Sequence, residues 1–288
     1  MITTQFDYAT PKTVAEAVAL LGQHPDEAKI LAGGHSLIPA MKLRLAQPQL
    51  LIDLGRIKDL AYIREEGGKI LIGAMTTHYQ LESSASLKDW CPLLTECAGS
   101  IGDVQVRNKG TIGGSLAHSD PAADWPAAII ALRAEIVATG SSGERVIKAD
   151  DFFVDLFTTA LQPGEIIREI RIDRPNNPTN QAYQKVPHPA SGFAVVGIAV
   201  ALQVTGEAIC ESASIGITGV AAIAFRATAA ESALTGKQLD EQTITLAAAH
   251  ACDGIEANAD LYASADYRVH LAQVHTGRAI KRAIAKAI

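Results

Sequence analysis

Two pairs of adjacent glycines are the residues of this sequence that could most readily do chemistry. The first pair lies in Ala32–Leu37, which reads Ala-Gly-Gly-His-Ser-Leu, and the second lies in Gly110–Ala117, which reads Gly-Thr-Ile-Gly-Gly-Ser-Leu-Ala. Adjacent glycines allow positive φ angles and let another group approach the backbone closely. Main-chain N–H groups exposed at the start of a helix form a concave site for an anion. The two loops therefore predict a diphosphate site gripped from both sides, with the hydroxyls of Ser36, Thr111 and Ser115 as further donors.

Two ordinary tight turns are the alternative interpretation of these loops. Neither loop matches the G-x-G-x-x-G signature of a Rossmann fold, and neither matches the G-x-x-x-x-G-K-[ST] signature of a P-loop. The residues alone leave the binding site and the pair of turns both open.

A carboxylate lies shortly after the second loop. The dipeptide Asp120-Pro121 predicts a turn, and Asp124 precedes a helical pattern. Asp124 can cap that helix, or it can accept hydrogen bonds from a ribityl hydroxyl or from a flavin ring N–H.

The remaining reactive side chains form no catalytic or metal-binding pattern. The cysteines at positions 91, 97, 210 and 252 contain no C-x-x-C pair, so we expect buried free thiols rather than an iron–sulfur or zinc site. The eight histidines have no ligand spacing, and no G-x-S-x-G elbow is present. We therefore predict no catalytic residue and no metal ligand in this chain.

The apolar periodicity predicts alternating helices and strands around both loops. It indicates helices at 13–21, 36–45, 93–101 and 124–132, strands at 29–32, 50–54, 69–72 and 166–172, and a hairpin over 135–147, with a polar, glycine-rich stretch at 102–114. After a proline- and asparagine-rich linker at 174–180, it indicates strands at 194–204 and 212–220 and helices at 224–234, 240–252 and from 265 to the end. The sequence thus predicts an α+β region of about 175 residues and a smaller α+β region after it.

Composition narrows the class of protein. Of the 288 residues 48% are hydrophobic and 19% are charged, which suits a packed core and excludes a disordered chain. The net charge of −6 argues against a general nucleic-acid binder. No signal peptide and no membrane-spanning run is visible, so we expect a cytoplasmic protein.

The loops and their surroundings resemble a known family. Ala32–Leu37 with the following Met41–Arg44, together with Val106–Pro121, is similar to the FAD-binding medium subunits of the molybdenum hydroxylases, the xanthine oxidase family, and most of all to the carbon monoxide dehydrogenase branch. The resemblance covers essentially the whole chain.

The resemblance implies a fold and a set of partners. Residues 1–177 would form a PCMH-type (vanillyl-alcohol-oxidase) FAD-binding domain of two subdomains, about 1–57 and 58–177. Residues 178–288 would form a C-terminal domain with a three-stranded antiparallel sheet and a helical bundle. A large subunit would hold the molybdenum–molybdopterin cofactor and a small subunit two [2Fe–2S] clusters, in a heterotrimer usually doubled to a hexamer, in the cytoplasm or at the inner face of the membrane. Electrons would pass from molybdenum through the clusters to FAD and on to an external acceptor.

The resemblance also implies which residues bind FAD. Ala32 to Ser36 and Thr111 to Ser115 would hold the pyrophosphate and ribityl, Ile101 and Gly102 would lie near the adenine or the ring edge, and Asp124 would hydrogen-bond the flavin. The implied binding residues are Ala32, Gly33, Gly34, His35, Ser36, Leu37, Ile101, Gly102, Thr111, Ile112, Gly113, Gly114, Ser115, Ala117, Asp124, Leu161, Lys185 and Phe193. The segment Val186–Gly192 departs from the family's more charged pattern, which leaves the exposed edge of the flavin and the electron acceptor open.

Two other functions remain open at this stage. The chain could be a stand-alone flavin oxidase or dehydrogenase with its own substrate, or an FAD-binding scaffold without activity. For a complex, carbon monoxide, a purine, an N-heterocycle and an aldehyde are all compatible substrates.

Overall fold

A small parallel sheet is built from the first part of the chain. The computed structural model describes residues 2–175, 178 and 180–285. Its first elements are β1 (Asp7–Ala9), α1 (Val14–Gln23), β2 (Ala28–Leu31), α2 (Leu37–Lys42) and β3 (Leu50–Asp53), and the strand order is β1-β3-β2. The Thr13 hydroxyl caps α1 by accepting from the Glu16 N–H, and the apolar face of this helix is buried, as its periodicity predicts.

The first glycine loop connects β2 to α2. This helix is shorter than the predicted helix at 36–45, because Arg44 takes a left-handed conformation with φ of 61° and ends the helical path. The loop therefore lies at the carboxyl end of a parallel strand, where open α/β sheets commonly bind ligands.

A five-stranded antiparallel sheet forms the centre of the molecule. Its strands are β4 (Ile63–Glu66), β5 (Lys69–Gly73), β6 (Glu135–Gly140), β7 (Gly143–Lys148) and β10 (Ile166–Asp173), in the order β4-β5-β10-β6-β7. The small hairpin β8 (Phe153–Asp155) and β9 (Thr158–Thr159) lies between β7 and β10 in sequence. The predicted hairpin over 135–147 and the strand at 166–172 are both confirmed.

Helices connect β5 to β6 and β7 to β8. They are α3 (His78–Ser83), α4 (Ala85–Trp90), α5 (Pro92–Gly99), α6 (Val104–Lys109), α7 (Ile112–His118), α8 (Trp125–Ala131) and α9 (Ala149–Phe152). The stretch at 102–114 is not simply a polar loop, because Asp103 caps α6 by accepting from the N–H groups of Gln105 and Val106. No residue of α6 is buried, so this helix has no apolar periodicity by which the sequence could reveal it.

The C-terminal part forms a second antiparallel sheet with three helices. Its strands β11 (Gln181–Pro187), β12 (Ala194–Val204), β13 (Cys210–Thr218) and β14 (Phe225–Arg226) pair in that order. It is thus four-stranded rather than three-stranded, although β14 contributes only two residues. The helices are α10 (Thr228–Leu234), α11 (Glu241–Ala249) and α12 (Ala265–Ala285), and they share one apolar core with the sheet.

Helix α8 lies in the core of the central sheet and packs against the C-terminal sheet. All seven of its residues are buried, and a Cβ added to Gly216 of β13 would lie 2.1 Å from the Ala127 carbonyl oxygen. Tyr183 and Ala199 of the second sheet belong to the same core as the central sheet. The glycine therefore allows the C-terminal sheet to pack closely against α8, and this contact fixes the position of β11 beside the N-terminal part.

The predicted linker at 174–180 falls partly on Asn176, Asn177 and Thr179, which lie outside the described residues. The domain boundaries predicted near 57 and 177 remain predictions. Within the described ranges, every helix is too short or too polar to traverse a lipid bilayer.

Candidate functional site

A cleft of about 660 Å³ lies between the first glycine loop, the second glycine loop and the segment that connects β11 to β12. This volume is typical of sites for small molecules and cofactors. All of the binding residues implied by the resemblance line the cleft except Ile112 and Lys185. The fold therefore brings together segments from widely separated parts of the sequence.

The first glycine loop presents free hydrogen-bond donors. Among the residues that the structure describes, the main-chain N–H groups of Gly33 to Ser36 have no protein acceptor. Gly34 takes φ of 76°, a conformation that glycine adopts without strain. Ser36 is the N-cap residue of α2, yet its hydroxyl makes no cap hydrogen bond. The loop is thus a row of open donors at the wall of the cleft, as an anion-binding loop requires.

The second glycine loop uses its N–H groups within the protein. The Ile112 and Gly113 N–H groups donate to the carbonyl oxygens of Thr76 and Ala74 at 3.1 and 2.9 Å. The Gly114 N–H donates to the Thr111 hydroxyl at 3.1 Å, and the Ser115 N–H donates to the Thr111 carbonyl oxygen. The expectation that both loops offer main-chain donors is therefore wrong for Ile112 to Ser115, because these amides donate to the segment after β5 and to Thr111 at the start of α7.

The glycines of the second loop allow close packing instead. A Cβ added to Gly113 would lie 2.5 Å from Ala74 Cβ, and one added to Gly114 would lie 2.8 Å from Thr111 Oγ1. The Ile112 side chain is fully buried in the central core, which is why it does not line the cleft. Close packing places α7 directly behind the cleft wall, so that Ser115 and Ala117 can face the cleft.

The two loops also touch each other. A Cβ added to Gly33 would lie 2.2 Å from the Lys109 carbonyl oxygen and 2.7 Å from Gly110 Cα. Real Cβ atoms do not approach a carbonyl oxygen so closely. Only glycine at position 33 therefore permits this contact between the two parts of the chain.

Asp124 is buried beside the cleft, and both of its carboxylate oxygens have protein partners. The Tyr183 hydroxyl donates to Oδ1 at 2.6 Å, and the Lys185 ammonium donates to Oδ2 at 2.9 Å. Burial raises the pKa of the Asp124 carboxyl, although Lys185 and Tyr183 act in the opposite direction. The carboxylate makes no cap hydrogen bond to α8, so the capping interpretation is wrong. Asp124 instead ties β11 to the cleft wall, and Lys185 contacts this carboxylate without lining the cleft.

The other residues implied by the resemblance lie at the rim. Ile101 and Gly102 line the cleft, and the Arg107 guanidinium donates to their carbonyl oxygens at 3.1 and 3.2 Å. Leu161 lines the cleft from the segment after β9. Phe193 lines it from the position just before β12, with 45% of its surface exposed.

Sequence reasoning missed His78, which lies in the wall of the cleft and is 4% exposed. The Trp125 indole N–H donates to its Nδ1 at 3.0 Å. Burial lowers the pKa of His78 to about 4, and the nearby His35 and Arg107 act in the same direction. His78 is therefore a neutral imidazole at physiological pH.

His118 and Phe157 are two further cleft residues that the sequence did not single out. Their rings lie 5.1 Å apart, and Phe157 takes a left-handed conformation with φ of 53°. None of the three missed residues lies in a glycine loop or at a spacing typical of a ligand. The one available signal was Thr77-His78-Tyr79-Gln80, a capping box that starts a helix and says nothing about the cleft.

Comparison with known proteins gives two family models that follow one another along the chain. Residues 4–175 match the FAD binding domain in molybdopterin dehydrogenase, and residues 181–283 match the CO dehydrogenase flavoprotein C-terminal domain.

Similar full-length proteins are the carbon monoxide dehydrogenase medium chains of Hydrogenophaga pseudoflava and Afipia carboxidovorans. Each is 43% identical to this chain, and the alignments cover 99% and 100% of this chain and 97% and 99% of the two relatives. The crystallised carbon monoxide dehydrogenase from Hydrogenophaga pseudoflava that lacks the Mo-pyranopterin moiety contains a chain with a TM-score of 0.96 and 45% identity, covering 99% of both chains.

Proposed function

This chain belongs to the FAD-binding medium subunits of the molybdopterin dehydrogenases, and we propose that it binds one FAD noncovalently in its cleft and passes electrons through it. The observation that carries the proposal is the row of open N–H groups at Gly33 to Ser36. These donors lie in a cleft of about 660 Å³, and a diphosphate requires several donors at once.

The residues of this chain fit the parts of FAD. The first loop supplies main-chain donors for the diphosphate, and Ser115 supplies a hydroxyl from the second loop. Asp124, held by Tyr183 and Lys185, places an oriented carboxylate at the wall for an N–H or hydroxyl of the ligand. When bound, FAD supplies the redox chemistry, and the surrounding hydrogen bonds and burial set its potential.

We propose that this chain works in a complex. A large subunit with the molybdenum cofactor would oxidise the substrate, and a small subunit with two [2Fe–2S] clusters would deliver the electrons to this chain. Its similarity to the two medium chains favours carbon monoxide as the substrate. The doubled heterotrimer, the external acceptor and the cytoplasmic location stay predictions.

We also propose that the chain divides into an FAD-binding domain at 1–177, with subdomains at about 1–57 and 58–177, and a C-terminal domain at 178–288. The separate three-stranded and five-stranded sheets support the first division, and the separate C-terminal core supports the second.

Purification of the native complex tests the proposed function. Mild denaturation should release one FAD per copy of this chain, and the released flavin should be unmodified. A complex that retains activity but releases no FAD contradicts the proposal.

Assays of the isolated chain and of a complex assembled on the FAD-free chain distinguish the proposed function from the other two functions. The FAD-loaded isolated chain should not oxidise the substrate of the complex, whereas a stand-alone oxidase or dehydrogenase would turn over its own substrate without partners. A complex assembled on the FAD-free chain should fail to reduce the acceptor, whereas a scaffold would support acceptor reduction without flavin.

A further inference from the structure

His78 lies where the two glycine loops meet. A Cβ added to Gly33 would lie 2.7 Å from Gly110 Cα, and a Cβ added to Gly110 would lie 2.6 Å from His78 Nε2. The first loop, Gly110 and the imidazole are therefore in direct succession. The His78 main-chain N–H also donates to the Gly110 carbonyl oxygen at 3.0 Å, which fixes the start of α3 against this junction.

Trp125 fixes the tautomer of this imidazole. An indole N–H can only donate, so Nδ1 of His78 must be the acceptor in the 3.0 Å hydrogen bond. The proton of the neutral ring is therefore on Nε2. A proton on Nδ1 would oppose the indole N–H, so the same contact also disfavours the charged form of the ring.

The Nε2–H group has no acceptor in the part of the chain that the structure describes, although His78 is 4% exposed and lines the cleft. A donor that faces a cleft without a protein acceptor normally meets a ligand or water. The neighbouring N–H groups of Gly33 to Ser36 are open in the same cleft. Neutral donors from two segments thus border the same cleft, on either side of Gly110, which suits an anionic ligand that spans this junction.

We propose that the His78 Nε2–H group donates a hydrogen bond to an anionic oxygen of the FAD diphosphate, and that Trp125 is the positioning residue that keeps the proton on Nε2. This inference rests on the proposed function. In this inference His78 of α3 is a side-chain donor beside the two glycine loops. It binds the anion in place of the Ile112 to Ser115 amides, which have protein acceptors.

A titration of the full-length chain with FAD tests the donor. His78→Leu should lower FAD affinity by about 10- to 100-fold, which is the effect of losing a hydrogen bond to a charged group. His78→Gln should recover most of the affinity, because its side-chain N–H can reach the position of Nε2. The matched control is His275→Leu, because His275 is a partly buried histidine of α12 that lies outside the cleft, and its replacement should leave the affinity unchanged.

Phosphorus NMR of bound FAD tests the acceptor. At saturating FAD, the two phosphorus resonances should differ between the wild type and His78→Leu, and His78→Gln should return them towards the wild-type positions. Reduced affinity with unchanged phosphorus resonances would overturn the assignment to the diphosphate.

Nitrogen NMR of the wild-type chain with labelled histidine needs no variant and decides the question if His78→Leu fails to fold. His78 should show a neutral ring with its proton on Nε2, and FAD should shift the Nε2–H resonance while the His275 signals stay in place. A proton on Nδ1, or an Nε2–H resonance that FAD leaves unchanged, would overturn the inference. A wild-type chain that binds no FAD contradicts the proposed function itself, whereas equal binding by the wild type and His78→Leu contradicts only the role of His78.

Discussion

The two glycine loops both contain a Gly-Gly pair followed by a serine, but their main-chain N–H groups have different roles. In the first loop, the N–H groups of Gly33 to Ser36 are open to the cleft, whereas in the second loop those of Ile112 to Ser115 all have protein acceptors. The glycines differ as well, since Gly34 provides a positive φ angle and Gly113 provides space for Ala74. Both loops line the cleft, but the first offers free main-chain donors and the second is closely packed against the protein.

This difference shows what a glycine pair can and cannot indicate. A glycine is selected wherever a side chain would collide, and the colliding partner can be a ligand or the protein itself. The sequence does not distinguish the two cases, because the partner comes from a distant segment. Gly33 belongs to both cases, since its loop offers donors while its Cα packs on the Lys109 carbonyl oxygen.

A substitution at the contact between the two loops should cause the largest loss of FAD affinity. Gly33→Ala should lower FAD affinity by about 1,000-fold or more, ~4 kcal/mol, because its Cβ would force the Lys109–Gly110 segment away from the first loop. Fluorescence titration of the full-length chain measures the effect. The matched control is Gly22→Ala in α1, where a Cβ meets nothing within 4 Å and binding should be unchanged. Tight FAD binding by Gly33→Ala would show that contact between the loops is not required.

His78, which lies against Gly110 of the second loop, should make the free energy of unfolding depend on pH. His78 has an unfolded pKa near 6.5 and a folded pKa of about 4, so the unfolded chain binds more protons between these values. The free energy of unfolding should therefore fall by up to about 3 kcal/mol from this group as the pH drops from 6.5 through 4. Denaturant unfolding of the wild type and His78→Gln across this range measures the difference, which should be smaller or absent in the variant. Parallel curves for the two proteins would show that His78 is not buried as a neutral ring.

A substitution in the second loop should separate folding from binding. Gly113→Ala places a Cβ 2.5 Å from Ala74 Cβ and should lower the free energy of unfolding by about 2 kcal/mol, as overpacking of a core typically does. The FAD affinity of the folded protein should stay within about threefold of the wild type, because the Gly113 N–H already has a protein acceptor. A large loss of affinity without a loss of stability would mean that this loop donates to the ligand after all.

Two hydroxyl residues, one in each loop, give a finer comparison. Thr111→Val should lower the free energy of unfolding by about 1 kcal/mol, because the Thr111 hydroxyl accepts from the Gly114 N–H and caps α7. Ser36→Ala should leave unfolding unchanged, because the Ser36 hydroxyl makes no cap hydrogen bond, and should lower FAD affinity by severalfold. Thermal unfolding and fluorescence titration of both variants check the pair. Reduced stability of Ser36→Ala together with reduced FAD affinity of Thr111→Val would contradict the roles assigned to the two loops.

Much of the fold could be predicted from local patterns, and the exceptions have physical reasons. The α1 helix and the β6–β7 hairpin follow from apolar periodicity and from the turn residues between the strands. The α6 helix could not be predicted in this way, because it depends on the Asp103 cap and has no buried face. Likewise β14 is a two-residue strand defined by its pairing with β13, which only the tertiary structure reveals.

The site was predictable where one segment carries the signal and hidden where several segments meet. The first loop could be recognised as a strand–loop–helix connection with two glycines. The roles of His78 and Asp124 could not be, because the partners that define them are Trp125 for the first and Tyr183 and Lys185 for the second, which lie 47 to 61 residues away along the chain. No spacing rule reports such contacts.

Hydrogen–deuterium exchange of the loop amides, with and without FAD, tests most directly the claim that the anion is held by the main-chain amides of the first loop and not by those of Ile112 to Ser115. In the FAD-free chain, the amides of Gly33 to Ser36 should exchange rapidly and those of Ile112 to Ser115 slowly, because only the latter have acceptors among the described residues. Addition of FAD should slow exchange strongly at Gly33 to Ser36 and change it little at Ile112 to Ser115. Protection that arises at the second loop while the first loop stays unprotected would contradict the account.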